Sequence, residues 1–229
     1  MWRTVCSINM NNKMVKVCDL KGVCQYNTKL LQRWMGRWEF ERPVLVVGGG
    51  IGRATLDSMK RIGRANPFNH NNIRETVYRD GGTYLGICNG AYIAGTRVRY
   101  NDYIKPPFSH SGLELFPGTS VGPVYPTKPL SIEMSSGFAV TTTDAFGQEH
   151  RVWYQNGGTF PVPFDSVKMP RVHAVYHDES FPAVVSFKYG KGNVILSGIH
   201  PEYNDDGADG TKLFDYIFES IEVARRRVA

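Results

Sequence analysis

Cys88 is the residue whose neighbours best equip it for covalent chemistry. It sits in Gly86-Ile87-Cys88-Asn89-Gly90, a G-x-C-x-G pattern between the apolar run 83–87 and a helix-forming stretch that opens Asn89-Gly90-Ala91-Tyr92. A nucleophile flanked by glycines at a strand-to-helix turn describes a nucleophile elbow, in which the central residue is strained and its side chain projects outward. The glycines leave room for backbone that a Cβ would block. A helix beginning at the nucleophile supplies N–H groups that stabilise a thiolate and can receive an oxyanion.

Such a thiol needs a base, and the base needs an orienting partner. Gly198-Ile199-His200-Pro201-Glu202, directly after the apolar run 193–197, offers both. In extended backbone a His and a Glu two residues apart face one side, and the proline between them stiffens the segment. His200 is expected to take the Cys88 proton or pair with the thiolate, and Glu202 to hold the imidazole in the right tautomer. Alone, His200 reads as a hydrogen-bonded loop residue; beside an elbow cysteine the catalytic reading is preferred. Gly48-Gly49-Gly50 is the third element. It fails as a dinucleotide fingerprint, because Arg53 or Thr55 stands where the last glycine belongs. As an oxyanion loop, Gly48 and Gly49 expose backbone N–H groups, and that of Gly49 is expected to join that of Asn89. A tight turn packed under a helix fits the same residues.

His70, His110, His150, His173 and His177 lack ligand-like spacing and read as surface or hydrogen-bonded residues; His110 is a weaker candidate for lining a pocket. Trp153-Tyr154-Gln155-Asn156-Gly157-Gly158 reads equally as a pocket wall or a hairpin turn. Cys6, Cys18, Cys24 and Cys88 form no C-x-x-C pair, so neither a metal site nor a cofactor is expected. So few cysteines suggest free thiols in a reducing compartment.

The elements that must position these groups follow from hydrophobic patterning. Residues 14–18 read as a strand and 27–35 as a short helix; 43–47 is a continuous apolar run of the kind found in parallel strands buried on both faces. A helix is predicted over 72–80, stopped by Gly81-Gly82; then the strand 83–87 and the helix 89–96 around the elbow. From 100 to 164 dense Pro and Gly and short alternating runs such as 137–141 predict antiparallel strands and long loops. Residues 183–189 and 193–197 flank Gly190-Lys191-Gly192, a hairpin signal. Leu213, Phe214, Ile217, Ile221 and Ala224 form one stripe of an amphipathic helix over 211–227. The sum is an α/β sandwich around a mostly parallel sheet, with antiparallel additions in the second half.

The 229 residues fit one domain, and 41% hydrophobic with 21% charged is ordinary globular composition. The net charge of +6 is dispersed apart from Arg225-Arg226-Arg227, which suits the end of a helix. No clustered basic face or recognition motif points to nucleic acid. The N-terminus lacks the apolar core of a signal peptide, and nothing approaches the ~20 apolar residues of a membrane span. A cytoplasmic protein acting on a small-molecule substrate or ligand is expected, with no nucleic-acid or membrane partner; its oligomeric state stays open.

Several segments, in order, carry a family resemblance: 44–50, 81–92, Leu113-Glu114-Leu115-Phe116-Pro117-Gly118, 154–158 and 190–202. Together they resemble the amino-terminal domain of fungal-type biotin–protein ligases and related proteins of the class I glutamine amidotransferase-like superfamily. The resemblance implies a flavodoxin-like three-layer sandwich with Cys88, His200 and Glu202 in the triad positions. Three departures bear on function. Glutamine-hydrolysing members usually carry Gln or His four residues after the nucleophile, where this chain has Tyr92, so the resemblance implies that Tyr92 is a substrate-binding residue and that glutamine is not the expected substrate. No Gly/Arg-rich adenylate-binding segment is found, so the chain is not expected to biotinylate anything itself. Residues 14–34 resemble the second strand and following loop, leaving Met1 to Lys13 to supply a first strand and helix. A Cys-His-Glu hydrolase or amidotransferase-like enzyme acting on an amide or ester is the leading expectation. A ligand-binding regulatory module and a redox-sensing thiol protein are the alternatives.

Overall fold

The computed structural model describes residues 14–18, 28–50, 52–100, 108–125, 137–142, 149–161, 170–177, 180–203 and 210–226. In chain order the elements are β1 (Val15–Val17), α1 (Thr28–Met35), β2 (Trp38–Phe40), β3 (Val44–Val47), α2 (Gly52–Arg61), α3 (His70–Tyr78), β4 (Thr83–Ile87), α4 (Asn89–Ile93) and β5 (Gly95–Tyr100). There follow β6 (Phe108–Ser111), β7 (Phe116–Gly122), β8 (Gly137–Thr142), β9 (Glu149–Tyr154), β10 (Arg171–Tyr176), β11 (Pro182–Tyr189), β12 (Gly192–Ser197), α5 (Gly210–Ser220) and β13 (Ala224–Arg226).

The main sheet has the order β1-β3-β4-β12-β11-β10-β8-β9. β1, β3, β4 and β12 run parallel. From β12 outward through β11, β10, β8 and β9 every pairing is antiparallel. Alternation along each strand divides the apolar residues between two cores. In β3, Val44 and Val46 join a core with α1 and α5, while Leu45 and Val47 join one with α2, α3 and α4. Helices therefore cover both faces, the three-layer sandwich expected. On the α1–α5 side, Trp34, Trp38 and Phe218 pack nearly edge-to-face or tilted, and Trp38 Nε1 donates to Asp215 Oδ1 at 2.9 Å.

Three expectations need correction. α4 ends at Ile93 rather than near residue 96, because its last carbonyls are taken from outside. Leu113 N–H donates to Ile93 O, and the Leu115 and Phe116 N–H groups both donate to Ala94 O. The chain then enters β5, which pairs antiparallel with β6 but parallel with β7, so the excursion is not wholly antiparallel. α5 ends at Ser220 rather than running to 227. A turn with Glu222 at φ 56° and the Val223 N–H on Phe218 O reverses the chain into β13, which pairs with β2. Arg225 and Arg226 are thus strand residues that follow the end of α5. β1 lies at one end of the strand order; the first strand and helix expected of Met1 to Lys13 lie outside the described residues. No helix among the described residues is long and apolar enough to cross a membrane.

Candidate active site

Cys88 follows β4 and caps α4 with φ 51° and ψ −107°, a conformation that strains any residue with a Cβ. Its flanking glycines are sterically required. A Cβ on Gly86 would lie 2.6 Å from Gly90 O, and one on Gly90 would lie 1.9 Å from Val47 O. The elbow is pinned at both ends: Cys88 N–H donates to Ser197 O at 2.8 Å, and Gly90 N–H to Gly48 O at 3.2 Å. The buried Asn89 side chain donates from Nδ2 to Thr55 Oγ1 at 3.0 Å, tying α4 to α2. With only five residues, α4 acts on a thiolate through the N–H groups of its first turn.

His200 and Glu202 come together through a turn, not through strand alternation. His200 N–H donates to Trp153 O at 2.8 Å, and Tyr203 N–H reaches back to His200 O at 3.4 Å. Pro201 thus occupies the second position of the turn, where its fixed φ belongs. His200 Nδ1 lies 2.9 Å from Glu202 Oε1, and both side chains are buried. Burial alone would push the imidazolium pKa down. Glu202 and then Cys88 outweigh it and lift the His200 pKa to about 10. With Nδ1 on Glu202, it is the other side of the ring that is left to Cys88, whose charge and hydrogen bond both favour the protonated imidazole. The glycine loop lies against this ring: a Cβ on Gly49 would sit 3.5 Å from His200 Cε1, in ordinary contact.

The half-buried Cys88 Sγ has a further neighbour, the Gln155 carbonyl oxygen at 3.5 Å. The segment after β9 therefore walls the elbow, which resolves the two readings of Trp153–Gly158. Trp153 and Tyr203 stack with centroids 5.2 Å apart, and Tyr203 meets the His200 ring at 5.9 Å. Tyr92 is buried beside this wall, with its hydroxyl donating to Asn156 O at 2.9 Å. Burial and then the Cys88 charge hold its pKa well above the usual phenol value, so it stays a neutral donor. Sequence reasoning named Tyr154 only within the segment 153–158 and missed Tyr176; their hydroxyls reach Gly157 O and Gly158 O. The Gly157-Gly158 pair was their only local trace.

Three of the remaining histidines have partners of their own. His173 Nε2 is buried 2.7 Å from Ser186 Oγ, His177 pairs with Glu149 at 3.2 Å, and His70 contacts Asn71. His150 lies on β9, and the side chain of His110 lies outside the described residues. No group of three His, Cys, Asp or Glu able to hold a metal occurs among the described residues. Cys18 is a buried free thiol; Cys6 and Cys24 lie outside the described residues. A cleft of about 290 Å³ beside α3, lined by Lys16, Asn72, Glu75 and Asp80, includes none of the elbow residues.

This architecture is the class I glutamine amidotransferase-like fold. A crystal structure of a glutamine amidotransferase superposes with a TM-score of 0.55 at 19% identity, covering 92% of this chain and 100% of that one. Residues 22–223 match the family described as biotin-protein ligase, N terminal, and the chain belongs to that family. It is 31% identical over 185 residues to the biotin–protein ligase of Schizosaccharomyces pombe, covering 75% of this chain but only 27% of the ligase. It is also 28% identical over 225 residues to an uncharacterised protein of Chlamydia muridarum, covering 85% of this chain and 82% of that protein.

Proposed function

We propose that the protein is a cysteine-dependent hydrolase or amidotransferase-like enzyme acting on a small amide or ester, with Cys88 as nucleophile, His200 as acid–base and Glu202 as orienter. The observation that carries this reading is the buried His200 ring, bound by Glu202 on Nδ1 and held toward its charged form by Glu202 and Cys88. In the forward step the thiolate adds to the carbonyl carbon, and the new oxyanion is received by the N–H groups of Gly49 and Asn89 in the Gly48–Gly49 loop and the elbow. The bond to the leaving group then breaks as His200 delivers its proton to the departing nitrogen or oxygen. Water adds to the thioester, passes its proton to His200, and releases the acid and Cys88.

Glutamine does not fit this site well. Tyr92 stands where a glutamine reader would, and its single O–H is engaged by Asn156. Biotinylation is not part of the proposed chemistry; it belongs to the S. pombe relative, of which the chain spans about a quarter. The proposed substrate is a small molecule, and neither a nucleic acid nor a membrane is proposed as a partner. A panel of primary amides, activated esters and short peptides tests the proposal. The expected result is turnover, with a Cys88 acyl adduct visible by intact mass, lost in Cys88→Ala. Equal rates for the two proteins across the panel would sink it.

A further inference from the structure

Four successive main-chain carbonyls after β9 are each met by a side chain. Cys88 Sγ lies 3.5 Å from Gln155 O. The hydroxyls of Tyr92, Tyr154 and Tyr176 donate to Asn156 O, Gly157 O and Gly158 O, each at 2.9 Å. The three tyrosines are buried and come from α4, β9 and β10, so elements from both halves of the sandwich converge on one strap. A buried phenol that fails to donate costs about 1–3 kcal/mol, and here three of them are committed to adjacent residues. Tyr154 Oη also accepts from Tyr125 N–H at 2.8 Å, and Gly157 O takes a second bond from Val124 N–H at 3.0 Å.

The slot for Tyr92 is made by two glycines. A Cβ on Gly122 would lie 2.1 Å from the Tyr92 hydroxyl, and one on Gly158 would lie 2.7 Å from its ring. The strap itself is held away from its preferred backbone, with Asn156 at φ 51°. The consequence falls on the sulfur. A carbonyl oxygen fixed beside Sγ accepts the thiol hydrogen and turns lone pairs toward any thiolate, so it favours the neutral thiol. His200 favours the thiolate, so the two neighbours compete for one proton.

We propose that Tyr92 is a positioning residue that acts through the strap: with Tyr154 and Tyr176 it fixes the Gln155 carbonyl against Cys88 and so sets the balance between a thiol held by Gln155 and a thiolate paired with His200. This rests on reading Cys88 and His200 as an acid–base pair. It assigns Tyr92 a structural grip on the strap in place of contact with substrate.

The test is the pH dependence of iodoacetamide alkylation at Cys88, followed by peptide mass spectrometry in the wild-type chain, Tyr92→Phe and Tyr176→Phe. Tyr92→Phe keeps the ring in its slot and removes only the hydroxyl. Its pH midpoint is expected to fall by about half a unit, with alkylation at pH 6.5 rising about threefold. Tyr176→Phe, whose bond is two residues further along the strap, is expected to shift the midpoint in the same direction by less. A midpoint that stays put or rises in Tyr92→Phe overturns the proposal. Should that variant fail to fold, an unmoved Tyr176→Phe overturns it instead. A separate outcome identifies failure of the underlying reading: wild-type alkylation with an ordinary thiol profile that His200→Gln leaves unchanged. A His200-dependent profile unmoved by the tyrosine variants sinks the strap alone.

Discussion

His173 and His200 are both buried against the same sheet, with 3% and 5% of their surface exposed, yet they are driven to opposite charge states. His173 sits where the register of β10 against β11 shifts between Val172 and Ala174, and its Nε2 meets the neutral Ser186 hydroxyl. Burial, aided by Arg171, lowers its pKa to about 4. His200 suffers the same desolvation, but Glu202 and then Cys88 outweigh it and lift it to about 10. Burial alone makes an imidazole a neutral core residue; an anion on one nitrogen and a thiolate beside the ring make it a proton carrier. The difference is therefore one of partners, not of depth.

The comparison breaks most visibly in reactivity. His200→Gln is expected to slow Cys88 alkylation at pH 7 by about 100-fold, the scale of losing a general base, whereas His173→Gln keeps it within about twofold. Iodoacetamide kinetics on both variants decide this, and equal slowing would erase the distinction. Glu202→Gln removes the larger charge but leaves the thiolate, so a smaller loss of about tenfold is expected, with the alkylation profile showing a weakened ion pair. If Glu202→Gln is as reactive as wild type, the carboxylate only packs.

Unfolding free energy against pH separates the two rings next. Between pH 6.5 and about 10 the folded state holds a proton on His200 that the unfolded chain has released. That contribution is complete below pH 6.5 and disappears as pH rises through 10. For His173 the unfolded chain binds the extra proton, so its contribution is complete above pH 6.5 and disappears as pH falls through 4. Each limb is on the order of a few kcal/mol. Urea melts from pH 4 to 10 are expected to show the alkaline limb flattened in His200→Gln and the acid limb flattened in His173→Gln. Flattening of the same limb in both would contradict the opposite charge states.

The elbow was legible because it is local. Gly86 and Gly90 stand at fixed distances from Cys88 in the chain, and their clashes with Gly90 O and Val47 O are what that spacing encodes. His200 and Glu202 were legible for the same reason, although a turn around Pro201 joins them where strand alternation was expected. The strap was only half visible. Gln155 meets Cys88 across 67 residues, and nothing in Trp153–Gly158 names its distant partner. Tyr154 and Tyr176 lie on β9 and β10 as buried strand residues, and nothing in their local sequence shows which carbonyls their hydroxyls meet. The early ends of α4 and α5 depend on hydrogen bonds from residues 113–116 and on pairing with β2, neither of which leaves a mark in the helical pattern.

The smallest effect sharpens the comparison most, because it removes one of the two charges on His200 while leaving the other. Cys88→Gly deletes the thiolate and leaves Glu202 in place. The backbone at φ 51° and ψ −107° costs a cysteine about 1–3 kcal/mol, which glycine does not incur. Against this stands about 0.5–1 kcal/mol for the added freedom of glycine in the unfolded chain. A net gain of about 1 kcal/mol in stability is expected near pH 10, where the His200 contribution that Cys88 supports has largely gone, measured by urea unfolding, together with complete loss of alkylation at this position. The alkaline limb assigned to His200 should shrink without vanishing, since Glu202 still holds the ring. The acid limb of His173 should not move. Destabilisation by Cys88→Gly near pH 10 would mean that the elbow is held by contacts of the thiol and not merely tolerated for its reactivity.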